Sequence, residues 1–380
     1  MEVRVGLLGP GLIGSALLRQ LFSQRDALPR FLNAKVNVVA VANSKNMILA
    51  PEGLAELDQN QVPDAWKTRL SCQAGDVAAF DWSRFVDTLS PSKSTSCSVL
   101  VDCTSNESAV DLYEAAIQRG CHVVTPNKKF GSGALDRYRR VLDIAKTSGR
   151  NFMYEATVGA GLPLISTLKS LIETGDSILK VEGILSGTLS FIFNTFDPKV
   201  NSFSAVVVAA KEKGYTEPDP RDDLGGVDVA RKVCILARTL GLPLDSLNDI
   251  NSRSLVPEPL SGVSIDEFMT RLPEFDAEIA TQATAAAEKG EKMLFVGVVD
   301  VSTGLEKGIA KVELANYPSS HPFAQLSGAD NIVCITTLRY GGPLGGTPLV
   351  IRGPGAGAEV TAAGVFSDII QAVRTHPRSV

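Results

Sequence analysis

Histidine and aromatic residues are scarce in this 380-residue chain, which has three histidines, two tryptophans and 6% aromatic residues. The net charge of −5 at pH 7 leaves no basic excess, and lysine and arginine are dispersed, so we expect no nucleic-acid partner. No apolar run approaches the roughly twenty residues that cross a bilayer, and the N-terminus lacks a signal-peptide pattern. We therefore expect no membrane partner and a cytoplasmic protein, although an organellar transit peptide that had been removed would leave no trace.

The six cysteines show no CxxC spacing. Cys103, Cys121 and Cys234 lie inside apolar strand or helix patterns. This placement predicts buried free thiols in a reducing compartment, not a disulfide framework or a zinc site. We also expect no activated cysteine nucleophile, since no cysteine stands in a recognisable Cys/His setting.

A GxGxxG motif at the N-terminus follows an apolar strand, Val3–Leu8, and opens a helix that runs from Leu12 to about Phe22. This strand, turn and helix context is typical of a dinucleotide-binding site, because the glycines let a pyrophosphate approach the backbone at the helix start. A glycine turn without a ligand is the alternative. The residues expected to contact the cofactor are Gly9, Gly11, Leu12, Ile13 and Gly14.

The second strand, Val36–Ala42, ends where an acidic residue usually binds the ribose of NAD. This chain has Asn43, Ser44 and Lys45 there. Because no carboxylate would repel a 2′-phosphate and a lysine is nearby, we expect the cofactor to be NADP or NAD, with Asn43 in contact with it.

The alternation of strands and helices continues after a polar stretch from about Ser44 to Ser98, interpreted as helix and loop insertions. Strand Val99–Cys103 leads to Thr104, and strand Cys121–Thr125 leads to Lys128. Ligands bind beyond the carboxyl ends of parallel strands, so Thr104 and Lys128 should line the cofactor crevice. A solvated loop lysine is the alternative for Lys128.

Residues 214–232, GYTEPDPRDDLGGVDVARK, place four carboxylates in a loop stiffened by two prolines, which suggests that the loop holds a ligand. A helix follows and ends at Gly241, with Asp228 and Lys232 one turn apart beside its apolar stripe. A lysine at the edge of a buried face suits proton transfer, whereas an ordinary surface ion pair is the alternative. The histidines offer no better acid, since His122, His321 and His376 have no helpful neighbours in the sequence.

Two further glycine-rich turns lie outside these motifs. Glu155 and the small residues after it suit a hard cation or, alternatively, close helix packing.

Thr188 either caps the helix that follows strand Lys180–Leu185 or touches substrate. Near the C-terminus, strand Pro348–Ile351 and a helix to Val373 flank a glycine run, interpreted as the chain returning to the first domain with Gly357 near the cofactor.

Five motifs together carry a family resemblance. These are residues 214–232, TPNKK at 125–129, EATVGAGLP at 155–163, EGILSGTLSFIFN at 182–194 and the GxGxxG start. The sequence resembles homoserine dehydrogenase of the monofunctional fungal and plant type, without a regulatory ACT domain. The resemblance implies reversible NAD(P)-dependent conversion of L-aspartate 4-semialdehyde to L-homoserine, on the path to threonine and methionine.

The resemblance also implies roles for particular residues. Lys232 is the proton donor, Asp228 helps to place the substrate, and Lys128 lies at the junction of cofactor and substrate. Thr104 and Gly357 match cofactor contacts, and a homodimer is expected. The expected substrate-binding residues are Gly214, Glu217, Asp223, Asp228 and Thr188. The expected sodium ligands are Glu155 and the carbonyls of Val158, Ala160 and Leu162.

The predicted fold class is α/β, with a Rossmann-type dinucleotide-binding domain and an α+β domain for substrate binding, catalysis and dimerisation. The first domain is expected at 1–150, completed by 341–380, and the second at 151–340. Three rival functions stay open at this point. They are a phosphorylating semialdehyde dehydrogenase with a cysteine nucleophile, an NADP-binding sensor without catalysis, and a metal-dependent enzyme that uses the clustered carboxylates.

Overall fold

The computed structural model describes residues 1–55, 65–72, 76–90 and 96–376, and the chain forms two compact units. The N-terminal unit comprises Met1–Gly161 and Ala356–Val380, and the central unit comprises Leu162–Gly355. The predicted boundaries at 150 and 340 therefore lie before the observed ones. Among the described residues, no helix is long and apolar enough to cross a bilayer.

The N-terminal unit alternates strands and helices. In chain order it contains β1 (Glu2–Leu8), α1 (Leu12–Ser23), α2 (Leu28–Leu32), β2 (Lys35–Ala42), β3 (Asn46–Leu49), α3 (Ala65–Ser71), β4 (Val77–Ala79), α4 (Trp82–Leu89), β5 (Ser96–Asp102), α5 (Asp111–Gln118), β6 (Cys121–Val124), α6 (Lys128–Gly131), α7 (Leu135–Thr147) and β7 (Phe152–Met153). Over the described residues these strands form one sheet in the order β4-β3-β2-β1-β5-β6-β7.

Strand β1 lies at the centre of this sheet, and its residues are buried on both faces from Val3 to Leu8. Val3 pairs in parallel with Val36 of β2 and with Cys97 of β5, and all three side chains are buried. Strands buried on both faces are typical of parallel α/β sheets. The parallel order β2-β1-β5-β6-β7 is therefore that of a dinucleotide-binding fold, as the GxGxxG context predicts.

The stretch Ser44–Ser98 differs from its interpretation as helix and loop insertions. Strands β3 and β4 add an antiparallel edge to the sheet, with Ala40 opposite Leu49 and Met47 opposite Ala78. Strands this short leave little alternating pattern to detect in a polar sequence. The parts of this interpretation that fall on residues 56–64, 73–75 and 91–95 lie outside the described residues.

The central unit combines helices with a mostly antiparallel sheet. It contains α8 (Ile165–Glu173), β8 (Ile178–Ile184), α9 (Gly187–Thr195), α10 (Phe203–Glu212), α11 (Arg221–Leu224), α12 (Val227–Thr239), β9 (Asn251–Ser252), α13 (Ile265–Arg271), α14 (Asp276–Ala287), β10 (Glu291–Asp300), β11 (Ile309–Pro318), β12 (Asp330–Thr337) and β13 (Leu349–Pro354). The sheet order is β13-β12-β8-β10-β11-β9, and helices α9, α12 and α14 contact β10. The α/β plus α+β fold class is thereby confirmed.

The last strand and the last helix belong to different units. Strand β13 pairs antiparallel with β12, with Cys334 opposite Val350, so the prediction that this strand returns to the first domain is wrong. Its residues alternate between half-buried and exposed, as in an edge strand, and its partner cannot be seen in the local sequence. Helix α15 (Ala358–Thr375) packs on α1 in the N-terminal unit, as predicted.

Candidate active site

The turn between β1 and α1 has a backbone shape that suits a pyrophosphate. Gly9 has a φ of +82°, and a Cβ at Gly14 would lie 2.3 Å from the Gly9 carbonyl oxygen. A Cβ at Gly11 would meet open space, while Leu12 is exposed and Ile13 half-buried. Helix α1 has neither a side-chain cap nor an acidic residue in its first turn. Its first N–H groups therefore fit a phosphate.

Asn43 begins the turn that joins β2 to β3. Its side-chain oxygen accepts the N–H groups of Lys45 at 2.9 Å and of Asn46 at 2.8 Å, which fixes the turn. Ser44 and Lys45 are exposed. The turn carries no carboxylate that could bind the two ribose hydroxyls, so its donor set fits a 2′-phosphate as well as a 2′-hydroxyl.

Thr104 and Lys128 follow β5 and β6, and buried Asp102 contacts Thr104 and the residue before Lys128. The Thr104 N–H donates to Asp102 Oδ1 at 2.8 Å, and the Asn127 side-chain amide donates to Asp102 Oδ2 at 3.1 Å. Lys128 comes next to Asn127 and is half-buried. The sequence argument missed Asp102 and its third partner, Tyr113, although an aspartate that closes an apolar strand is itself a signal.

Gly357 lies at the N-terminus of α15 with a φ of +121°, and it is exposed. Its carbonyl accepts the Thr361 N–H at 3.0 Å. Glu359, in the first turn of α15, accepts the Gln20 side-chain amide of α1 at 3.0 Å. Gly357 thus belongs to the same unit as the glycine turn, and its contact with a cofactor stays a prediction.

Two of the four clustered carboxylates are used within the loop of residues 214–223. Asp219 accepts Arg221 Nε at 3.0 Å and Arg221 Nη2 at 2.7 Å, and these hydrogen bonds lower the pKa of Asp219. Asp223 accepts the Glu217 N–H at 2.8 Å, and burial raises the pKa of Asp223. The side chain of Glu217 and the backbone of Gly214 are exposed, as ligand-binding groups need to be.

Thr188 supports this loop and does not cap α9. Its hydroxyl lies 2.6 Å from the Tyr215 carbonyl oxygen and 2.8 Å from Asp223 Oδ1. The helix is capped by Ser186, whose Oγ accepts the Leu189 N–H at 3.2 Å. Capping by Thr188, one of the two predicted alternatives, is therefore wrong because the helix already begins at Gly187.

Lys232 lies on the buried side of α12. It is 7% exposed, and its Nζ donates to Asp228 Oδ2 at 2.8 Å and to the Leu185 carbonyl at 2.7 Å. The Asp228 side chain is 52% exposed. An ordinary surface ion pair therefore does not describe this arrangement, in which a buried ammonium has an exposed carboxylate on one side. Leu185 directly follows β8. The sequence argument missed it because a backbone carbonyl that accepts a hydrogen bond leaves no signal in the side-chain pattern.

The turn after Glu155 packs tightly within the N-terminal unit. The Glu155 N–H donates to Asp368 Oδ2 of α15 at 2.8 Å, and Glu155 is 7% exposed. A Cβ at Gly161 would lie 2.5 Å from the Val360 carbonyl oxygen, so close helix packing accounts for the small residues. Val158 and Ala160 are buried in this unit, whereas Leu162 begins the central unit. The sodium site stays a prediction.

Among the described residues, Cys97, His122 and His376 bring three potential metal-ligand atoms together. His122 Nδ1 accepts the Asn151 N–H at 2.9 Å, which places the ring proton on Nε2, and Nε2 then donates to His376 Nδ1 at 2.9 Å. A protonated nitrogen cannot bind a metal. Burial lowers the pKa of His122 to about 3 and raises the pKa of Cys97 to about 12, so the cluster contains no activated nucleophile. His122 and His376 contact each other although they are 254 residues apart in the sequence, so local sequence could not show this cluster.

The three thiols that the sequence analysis singled out are free in this structure. Cys121 and Cys234 are buried, while Cys103 is only half-buried. Burial raises the pKa of Cys121 to about 12. The buried free thiols are thus confirmed for two of the three cysteines singled out from the sequence.

A glycine turn at a helix N-terminus in one unit, and a buried lysine beside the carboxylate of Asp228 in the other, are features that two-domain NAD(P)-dependent oxidoreductases combine. Comparison with known proteins identifies the family. The family model for homoserine dehydrogenase matches residues 163–370, and the model for the homoserine dehydrogenase NAD-binding domain matches residues 9–155. The chain belongs to the homoserine dehydrogenase family.

Individual relatives agree with this assignment. The homoserine dehydrogenase of Schizosaccharomyces pombe is 42% identical, over 97% of this chain and 95% of that protein. The chloroplastic bifunctional aspartokinase/homoserine dehydrogenase 1 of Zea mays is 51% identical over 97% of this chain, which spans only 38% of that protein. The crystal structure of a Candida auris protein of unknown function has a TM-score of 0.85 at 37% identity and covers 98% of both chains.

Proposed function

We propose that this protein catalyses the reversible NAD(P)H-dependent reduction of L-aspartate 4-semialdehyde to L-homoserine, a step of threonine and methionine biosynthesis. The observation that carries the proposal is the buried Lys232 ammonium with its two acceptors, Asp228 and the Leu185 carbonyl. Family membership and the 42% identity to a full-length fungal homoserine dehydrogenase support it.

Lys232 is the proposed proton donor. A nicotinamide cofactor, when bound, would supply a hydride to the aldehyde carbon, and the electron pair of the C=O bond would then remain on oxygen. Lys232 Nζ stabilises that oxygen and gives it a proton, so the aldehyde becomes an alcohol. Asp228 and the Leu185 carbonyl orient the ammonium by accepting two of its hydrogen bonds. In the reverse reaction the neutral amine accepts the hydroxyl proton.

The loop of residues 214–223 is the proposed site for the amino-acid end of the substrate. Its exposed Glu217 carboxylate suits a substrate ammonium, and the backbone of Gly214 is exposed beside it. Asp223 and Thr188 stabilise the loop through the Glu217 N–H and the Tyr215 carbonyl. Because Arg221 neutralises Asp219, the loop keeps its shape without requiring a divalent cation.

Cofactor binding is assigned to Gly9, Gly11, Leu12, Ile13, Gly14, Asn43, Thr104, Lys128 and Gly357. The carboxylate-free turn at Asn43 and the exposed Lys45 support acceptance of NADP as well as NAD. Lys128 is proposed to act at the junction of cofactor and substrate.

The remaining proposals rest on the family resemblance. They are a sodium ion held by Glu155 and the carbonyls of Val158, Ala160 and Leu162, a homodimer, and action in the cytoplasm. Sedimentation equilibrium tests the dimer, and turnover in sodium-free buffer tests the ion.

The decisive experiment follows NADPH and NADH oxidation with L-aspartate 4-semialdehyde for wild type and for Lys232→Ala. We expect turnover by wild type and at least a roughly hundredfold lower kcat for the variant, the low end for a general acid. Lys292→Ala is the matched control, since Lys292 is a half-buried lysine of the same unit. Burial lowers the pKa of Lys292, and its Nζ donates to Asn194 Oδ1 at 3.0 Å. NADPH binding by wild type without any turnover would contradict the proposal and favour the sensor.

A further inference from the structure

The Asp102 carboxylate joins the two loops that follow β5 and β6. Asp102 ends β5 and is 0% exposed. Its Oδ1 accepts the Thr104 N–H at 2.8 Å, and its Oδ2 accepts the Asn127 side-chain N–H at 3.1 Å. The same Oδ2 accepts the hydroxyl of Tyr113, which comes from α5. One side chain thereby holds a strand end, both loops and the helix between them.

Asn127 transmits this restraint to Lys128. Its side-chain oxygen accepts the Lys129 N–H at 3.0 Å and so caps α6, which begins at Lys128. Its backbone N–H donates to Thr125 Oγ1 at 2.9 Å, and that hydroxyl donates to the Asp102 carbonyl at 2.8 Å. The residue before Lys128 is therefore held through its backbone and through both polar atoms of its side chain.

Aromatic packing holds the Tyr113 hydroxyl in place. The Tyr113 ring lies edge-on to Phe130 at a centroid distance of 5.6 Å and 5.5 Å from Phe152. Phe130 is itself in α6, so this ring contact joins α5 to α6. Burial, together with the Asp102 carboxylate, raises the pKa of Tyr113 well above its ordinary value. The hydroxyl therefore keeps its proton and remains a donor.

We propose that Asp102 and Tyr113 are positioning residues that hold Thr104 and, through Asn127, the start of α6 at Lys128 ready for the nicotinamide cofactor. The proposal rests on the function proposed above, since it requires a cofactor in the crevice beyond β5 and β6. A buried carboxylate with three donors is ordered before the ligand arrives. Ordering the two loops then costs less conformational entropy at the moment of binding.

Tyr113→Phe tests this role because it removes the hydroxyl and keeps the ring. We expect the Kd of NADPH, measured from its fluorescence without substrate, to rise roughly tenfold on loss of one hydrogen bond to a carboxylate. Tyr138→Phe is the matched control because it also removes a buried hydroxyl. The Tyr138 hydroxyl lies 3.5 Å from that of Tyr154, and the Tyr138 ring contacts the same Phe130 ring. The control leaves the Kd unchanged.

Comparing the Kd of NADPH with the unfolding midpoint of Tyr113→Phe distinguishes a positioning role from a purely structural one. A structural role lowers the unfolding midpoint and the active fraction of Tyr113→Phe, with an unchanged Kd and KM for NADPH. An unchanged Kd in folded Tyr113→Phe would overturn the proposal. Where that variant does not fold, Asp102→Asn, which has the same shape, is judged by the same criterion.

The proposed reaction and the positioning role fail in different ways. Where wild type turns over, the KM of Tyr113→Phe for NADPH rises in step with its Kd. Where wild type does not turn over and the variant still binds NADPH more weakly, the positioning role stands and the reaction is wrong. Wild type that does not bind NADPH would overturn both.

Discussion

The central unit holds two ion pairs with the same helical spacing and different surroundings. Asp228 and Lys232 on α12 are 2.8 Å apart, and Glu267 and Arg271 on α13 are 3.1 Å apart. The Lys232 side chain is 9% exposed, whereas that of Arg271 is 37% exposed. Lys232 also has the Leu185 carbonyl as a second acceptor. Spacing alone therefore does not distinguish a site residue from a surface pair, whereas burial of the cation does.

The difference in burial between the two cations changes how strongly each interacts with nearby charges, because the dielectric constant is lower in a buried site. A charge near water gains little from its partner because solvent screens the pair, whereas a desolvated ammonium interacts strongly with any charge that develops beside it. In the proposed reaction, Lys232 would therefore stabilise a developing oxyanion more strongly than the exposed Arg271 would. An arginine also cannot give up a proton near neutral pH.

The largest expected effect comes from exchanging the cations of both pairs for alanine. Lys232→Ala should lower kcat by at least about a hundredfold, because the developing oxyanion loses its proton donor. Arg271→Ala should leave kcat within about twofold of wild type. Steady-state NADPH oxidation by equally folded proteins measures both. Comparable losses in the two variants would show that burial does not separate the pairs.

A second prediction extends the contrast between buried and exposed groups to pH. Burial lowers the pKa of His122 to about 3, so the unfolded chain binds more protons than the folded one between that pH and about 6.5. Stability should therefore fall as the pH drops through this window, by up to about 1.4 kcal/mol per pH unit. Urea unfolding at several pH values checks this. His122→Gln should flatten the dependence, and an equally steep dependence in that variant would refute the assignment.

A third prediction concerns the carboxylates of the two pairs. Asp228→Asn keeps an oxygen acceptor and removes the charge that orients Lys232, so kcat should fall by about tenfold. Glu267→Gln is the control and should leave kcat unchanged. Equal kcat values for Asp228→Asn and wild type would mean that the Leu185 carbonyl orients Lys232 without help.

The smallest expected effect is on stability at the exposed pair. Arg271→Ala should shift the unfolding midpoint only slightly, and the shift should shrink further in high salt, because salt screens exposed charges. Thermal unfolding at low and high salt measures it. A large shift that salt does not alter would place Arg271 in a role like that of Lys232.

The sequence predicted the parts of the structure that depend on local pattern. The strand before Gly9 and the helix that begins at Leu12 appear as predicted, because apolar periodicity and glycine positions are local signals. The pairing of β13 with β12 was not predictable, since pairing depends on contacts between distant residues. The hydrogen bonds that Asp102 accepts from Tyr113 and Asn127 were missed for the same reason, since these partners lie 11 and 25 residues away in the sequence.

The site shows the same division between local and distant information. Asp228 and Lys232 could be paired from their spacing, but the burial of Lys232 follows from packing of α12 on β10 and β11. Which carboxylates of the loop are exposed also depends on distant partners, such as Thr188 for Asp223. Residue types and spacing thus indicated the chemistry, and tertiary contacts determined which groups are available for it.

Chemical rescue at position 232 tests the central claim most directly. Lys232→Cys should be nearly inactive, and alkylation with 2-bromoethylamine restores an amine on a side chain of lysine length. We expect this treatment to raise kcat by at least about tenfold, while identically treated wild type, with its exposed Cys72, gains nothing. Complete alkylation at position 232, verified by mass spectrometry, without any gain in kcat would contradict the assignment of Lys232 as the proton donor.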